Sequence, residues 1–243
     1  MSIIGLQGIR GGVGTTSITA GLAWALHQQG EQVLIVDMCQ SNQLFLHFNG
    51  AMNWANGWAR AQLDQQPWQQ AALRYAQGLD LLPFGPLSLA EYQQWQQHHS
   101  PLTWFNDLAT LINNGKYDWI LLDIPANAPA SFSPCFSCLD GLLTVVTADA
   151  NNHIRLHQRA RQEKEYLLLN QLASNSRLQQ DLQQYWRQHL PNILPLAIHR
   201  DEAMAEALAV KQPTGEYSPL SLTADELKVL AVWCLAHFNK SAV

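Results

Sequence analysis

The run Gly8-Ile9-Arg10-Gly11-Gly12-Val13-Gly14-Thr15-Thr16-Ser17 is where this sequence first offers chemistry. It follows a short apolar stretch, Ser2 to Leu6, and opens a helix-like segment from Ile18 to Gln29. A strand, a glycine-rich turn and a helix N-terminus together make a phosphate cradle. Glycines let backbone N–H groups crowd an anion, and the unpaired N–H groups of the helix's first turn point at it. From Gly8 the spacing fits the phosphate-loop pattern G-x-x-x-x-G-K-[ST], with the final hydroxyl present as Thr16. The departure is Thr15, which stands where the lysine belongs. A tight glycine turn without a ligand is the plain alternative. Position, glycine spacing and hydroxyl agree on the cradle.

Two carboxylates close apolar runs further on. Val33-Leu34-Ile35-Val36 ends in Asp37, and Tyr117-Asp118-Trp119-Ile120-Leu121-Leu122 ends in Asp123. A carboxylate at such a strand end, beside a phosphate loop, can hold magnesium through water. Read alone, a helix N-cap after a strand is the plain alternative for Asp37.

Arg10-Gly11-Gly12-Val13-Gly14-Thr15-Thr16 resembles the deviant phosphate loop of the ParA/MinD ATPases, usually K-G-G-V-G-K-[ST]. The substituted form R-G-G-V-G-T-T further resembles the BcsQ group of that family, found in bacterial cellulose secretion operons. So do Ile198-His199-Arg200-Asp201-Glu202-Ala203-Met204-Ala205-Glu206 and Lys211-Gln212-Pro213-Thr214-Gly215-Glu216-Tyr217. The resemblance runs from Ile3 to Phe238.

The resemblance implies ATP and Mg2+ as cofactors, and the absence of an N-K-x-D pattern agrees with adenine over guanine. Gly11, Gly12, Val13, Gly14, Thr15, Thr16 and Ser17 would form the loop. Arg10 stands at the signature lysine, which reaches across a dimer interface to phosphates bound by the other subunit. Thr16, Asp37 and Asp123 would make the metal site. Asp37 matches the first carboxylate of a D-x-D pair, and Cys39 stands at the second, which orients the attacking water. A thiol with an ordinary pKa of about 8.5 is mostly neutral and accepts hydrogen bonds weakly. Asn170 matches the asparagine that contacts adenine. His199 and Arg200 lie in the loop that lines the base, with a histidine where proline is usual.

Positioning and electrostatics make up nearly all of phosphoryl-transfer catalysis. Loss of one electrostatic donor typically costs ~10²–10³ in rate. Thr15 and Cys39 therefore predict binding with slow or absent hydrolysis, in an ATP-dependent homodimer. The implied partners are BcsR, BcsE-like regulators and the inner-membrane cellulose synthase complex. A cycling ParA/MinD-type ATPase that positions cargo is the competing reading.

The elements needed to position these groups are legible as a βα alternation. Its continuous apolar strands predict a mostly parallel, doubly wound sheet with helices on both faces. Expected strands are Ser2 to Leu6, Val33 to Asp37, Leu79 to Leu82, Tyr117 to Ile124, Gly141 to Thr147, Tyr166 to Asn170 and Asn192 to Ile198. Expected helices are Thr16 to Gln29, Leu44 to Phe48, Trp54 to Leu63, Pro101 to Asn114, Asn151 to Glu163, one between Leu172 and Leu190, one ending at Ala209, and Thr223 to Phe238. Thr223 and Glu226 have capping-box spacing. Ala126 to Ser137 reads as a small-residue switch loop. Trp54, Trp58, Trp68, Trp95 and Trp104 read as partly buried on helices, or as a partner surface.

The length of 243 residues suits one domain spanning the chain. The net charge of −5 argues against a chain-wide nucleic-acid footprint, although Arg155, Arg159, Arg161 and Lys164 form a local basic cluster. Four cysteines show no disulfide framework, and Cys135 and Cys138 lack the context of a redox or metal pair. With no signal-peptide pattern or membrane-length apolar run, the expected location is cytoplasmic, with recruitment to the inner membrane or cell pole by partners. Lys228 and Lys240 are too few to draw the last helix onto anionic lipid, so no direct membrane insertion is expected.

Overall fold

The computed structural model describes residues 1–98, 115–129 and 132–238. Their strands are β1 (Ser2–Gly8), β2 (Val33–Asp37), β3 (Leu73–Ala76), β4 (Leu79–Leu82), β5 (Trp119–Ile124), β6 (Gly141–Thr147), β7 (Glu165–Leu172) and β8 (Ile193–His199). They form one sheet in the order β3-β4-β2-β5-β1-β6-β7-β8. Every pairing is parallel except the β3–β4 hairpin at one edge. The sheet is the mostly parallel α/β type expected, with one unexpected strand. β3 has only four residues, none fully buried, so it carries no apolar run to read.

Successive strand residues feed opposite cores, as the period of two requires. Ile4, Leu6, Ile35 and Leu121 pack on one face under α1 (Thr15–Gln28) and α9 (Leu222–Phe238). Ile3, Leu34, Val36, Ile120 and Leu122 pack on the other, with α2 (Trp58–Leu63) and α3 (Leu89–His98). A third cluster, around Val146, Leu169 and Trp186, lies toward β8 with α5 (Ala150–Gln158) and α6 (Arg177–His189). The short α4 is Ser133–Phe136, and α7 (Glu202–Ala209) and α8 (Thr214–Tyr217) precede the last helix.

The tryptophans correct both expectations made for them. Trp58 and Trp95 are fully buried, and Trp68 nearly so. Trp58, Phe84 and Trp95 meet edge to face at 5.2–5.6 Å, an aromatic core rather than a surface. Trp54 is partly buried on the opposite face. Trp104 and the expected helix Pro101 to Asn114 lie outside the described residues.

Three boundaries also move. The helix ending at Leu63 begins at Trp58, because Gly57 lies against the Gly85 backbone and breaks the turn. The helix after β6 stops at Gln158, so Arg159, Arg161 and Lys164 are not on its face. Arg159 pairs with the buried Glu165, and Lys164 donates to the Leu139 carbonyl. The capping box does not form. Ser221 caps α9 through the Ala224 N–H, while Glu226 turns to His199. The helix itself packs on the domain through Leu227, Leu230, Ala231 and Cys234. Among the described residues no helix is long and apolar enough to cross a membrane.

Candidate functional site

The sheet order places β1 centrally, with β5 and β2 on one side and β6 on the other. The turn after β1 thus opens at the carboxyl edge where the winding reverses, the usual ligand position in open α/β sheets. Gly14 ends that turn with φ +88°, and a Cβ there would stand 2.5 Å from the Asn170 amide nitrogen. Both the left-handed backbone and the close approach demand glycine. α1 then starts without a side-chain cap, leaving its first-turn N–H groups for a ligand.

These groups line a cleft of about 500 Å³. Arg10, Gly11, Gly12, Gly14, Thr15, Thr16 and Ser17 form one wall, and Cys39 and Asp123 lie on it as well. Thr16 Oγ1 donates to Asp123 Oδ2 at 2.8 Å, and Thr19 Oγ1 approaches Asp123 Oδ1 at 3.4 Å. Burial pushes the Asp123 carboxyl up to about 6, against the pull of these two hydroxyls. The expected loop hydroxyl and the expected strand-end carboxylate are therefore in contact.

Asp37 pairs in register with Asp123 on the adjacent strand, but it lies behind the cleft. It is fully buried. Its Oδ1 accepts from the Cys39 N–H at 2.8 Å and its Oδ2 from the Leu44 N–H at 3.2 Å. Burial first, and the Asp123 charge second, raise its pKa well above the ordinary carboxylate value. The Trp58 indole holds the same residue by its carbonyl at 2.8 Å. Cys39 does reach the cleft, 3.0 Å from Ser41 Oγ. Burial pushes its thiol above the ordinary value, so it is neutral near pH 7.

Arg10 is held within its own chain. Its guanidinium pairs with Asp149 at 2.9 Å and donates to Asn152 Oδ1 at 3.1 Å. Val13 is buried behind the loop, and its carbonyl accepts from Asn170 Nδ2 at 2.8 Å. Asn170 Oδ1 is buried without a partner. His199 ends the next strand and Arg200 follows it, its N–H bonding the Leu172 carbonyl. The His199 N–H and ring both engage the Glu226 carboxylate, and neither His199 nor Arg200 lines the cleft. Of the expected switch loop, Ala126 lines the cleft. Phe132 and Cys135 anchor its far part in the aromatic core, and residues 130 and 131 are outside the described set.

Residues 1–235 match the family described as cellulose biosynthesis protein BcsQ. The chain belongs to the BcsQ family. It is 48% identical over 242 residues to the cellulose biosynthesis protein BcsQ of Escherichia coli K12, covering 98% of this chain and 96% of that one. Among solved structures it superposes on a ParA family ATPase from Chlorobium tepidum with a TM-score of 0.78 at 22% identity, covering 95% and 98% of the two chains. MinD from Pyrococcus horikoshii in complex with Mg-ADP gives a TM-score of 0.73 at 20% identity, covering 95% and 94%. These two likenesses establish the ParA/MinD fold.

Two polar residues of this BcsQ family member line the cleft although they were not expected there from the sequence. His47, from the 3-10 helix Leu44–Phe48, is buried against Ser17, and its Nδ1 has no partner. Lys211 arrives from the turn after α7. His47 belongs to no motif, Lys211 opens the stretch to Tyr217 that resembles the BcsQ group, and both come from segments distant in sequence from the loop they face.

Proposed function

We propose that this chain is an ATP-binding, nucleotide-dependent dimeric subunit that assembles or regulates a bacterial cellulose secretion system, with weak or absent hydrolysis. The contact between Thr16 Oγ1 and Asp123 Oδ2 on the lip of the glycine loop carries this reading. A hydroxyl and a carboxylate are hard oxygen donors of the kind Mg2+ takes, and Mg2+ bound there would screen the phosphates. A carboxyl raised by burial is returned to its charged form by a cation beside it. Asp37 would steady this pair from behind. The buried, unpartnered acceptor on Asn170, next to the loop, suits the exocyclic amino group of adenine.

Slow turnover follows from the two substitutions. Thr15 brings no cation to the phosphates, and the neutral Cys39 thiol is a poor group for orienting water. Arg10 would leave Asp149 to meet the second subunit's phosphates, so nucleotide occupancy would set the dimer population. The names of the relatives support the cellulose role. Within it, BcsR, BcsE-like regulators and the inner-membrane cellulose synthase complex are the partners we propose.

The test is molar mass with and without Mg-ATP, measured beside ATP turnover on the purified chain. The expected result is a Mg-ATP-dependent dimer turning over far below about 1 per second, the low end for enzymes. Turnover at or above that rate would favour a cycling ATPase. A monomer that retains no nucleotide would sink both readings.

A further inference from the structure

A nucleotide cleft whose loop lacks its lysine is short of positive charge. Arg10, the loop's own cation, is paired with Asp149. Among the residues lining the cleft, Lys211 is the other cation, and among the described residues it has no carboxylate partner. Its Nζ donates to the Gly50 carbonyl at 3.1 Å, while its own carbonyl accepts from the Asn49 N–H at 2.9 Å. The side chain is thereby fixed on the wall that also carries His47, whose buried Nδ1 is unpartnered.

The backbone at Lys211 adds an independent observation. The Lys211 N–H bonds the Leu208 carbonyl and the Gln212 N–H bonds the Ala207 carbonyl, a Schellman closure of α7. The closing residue sits at φ +61°, where glycine is the usual occupant and L side chains are rare. The turn alone would be better served by glycine. A lysine held in that conformation, on the wall of a cleft that lacks its expected cation, indicates that the side chain is what the position requires.

We propose that Lys211 is a phosphate-binding residue of this cleft, supplying from the end of α7 the positive charge that Thr15 removes from the loop. This rests on the nucleotide reading for the identity of the ligand, though not for its anionic character. The same chemistry serves any polyphosphate.

The turn geometry supplies a clean test. K211G keeps the backbone conformation and deletes the cation, and K211R keeps the cation. Each full-length variant is titrated with Mg-ATP and with inorganic tripolyphosphate at low and moderate salt, and its thermal midpoint is recorded. K211G is expected to bind both probes about tenfold more weakly, as loss of one charge-assisted hydrogen bond implies. Its salt dependence should be flatter, and its midpoint equal to or above that of the unsubstituted chain. K211R should bind near normally. Unchanged binding by K211G overturns the assignment, as does K211R failing to the same degree as K211G. If the unsubstituted chain binds tripolyphosphate through Lys211 but ignores ATP, the adenine reading fails and Lys211 stands. If it binds neither probe, both fall.

Discussion

Asp37 and Asp123 end adjacent strands, in register, and both are buried, yet they are built into different kinds of surroundings. Asp37 is satisfied by two backbone N–H groups, from Cys39 and Leu44. Those donors are fixed by the chain's path and cannot turn away without unfolding it. Asp123 is met by two hydroxyls, Thr16 and Thr19, on α1. Hydroxyls rotate, so Asp123 can exchange a hydrogen bond for a metal ion or its bound water at small cost. The two carboxylates look alike as strand ends in a sequence. The difference in donors separates their settings: one is tied into the turn that leads to the cleft, and the other lines it.

The strongest way to break this division is Asp37→Ala. It strands the buried Leu44 N–H and the part-buried Cys39 N–H. A loss of about 3–4 kcal/mol in unfolding free energy is expected, read by denaturant titration without any nucleotide. Stability equal to the unsubstituted chain would end the structural role. The next effect comes from His47, in the short helix whose first N–H holds Asp37. Burial lowers its pKa to about 4, from an ordinary 6.5. The unfolded chain then binds the extra proton between those values, so stability is full above pH 6.5 and is lost as pH falls toward 4. The window is worth about 3 kcal/mol. His47→Gln should remove that slope, and an unchanged pH profile would assign the acid sensitivity elsewhere.

What the sequence displays follows the same line between local and distant causes. The glycine loop, the strand ending in Asp123 and the start of α1 are legible because each is set by neighbours along the chain. Glycine spacing, an apolar run and a hydroxyl suffice. The short β3 and the Gln-rich α3 were not legible, since α3 buries only Trp95 from its own residues and shows almost no stripe. The tryptophan count suggested a surface because their partners, Phe84 and Phe132, come from other segments. The Thr223–Glu226 spacing gave a capping box that lost to His199, a partner 27 residues away. The place of Lys211 and His47 in the cleft was unreadable for the same reason: the fold gathers them from segments distant in sequence from the loop.

Asp123→Asn sharpens the comparison from the other strand end. The amide keeps the size and an acceptor for Thr16 but removes the charge that a cation needs. Mg2+-dependent gain in ATP affinity should fall tenfold or more, about 1.4 kcal/mol. Unfolding free energy without metal should hold or rise, because Asp37 loses a like-charged neighbour. A variant that loses stability yet keeps its metal response would reverse the roles assigned to the two carboxylates.

The smallest effect tests how far the structural support behind Asp37 extends. Trp58→Phe keeps most of the edge-to-face packing on Phe84 and Trp95 and deletes the indole donor to the Asp37 carbonyl. One buried hydrogen bond predicts about 1 kcal/mol, or roughly 2–4 °C in thermal midpoint for a chain of this size. Because that donor holds the backbone at the end of β2, the loss should be absent in the Asp37→Ala background if the alanine chain has already let the turn go. A double-mutant cycle reads this directly. Additive losses would mean that Trp58 supports the aromatic core alone and that the turn at Asp37 stands on its carboxylate.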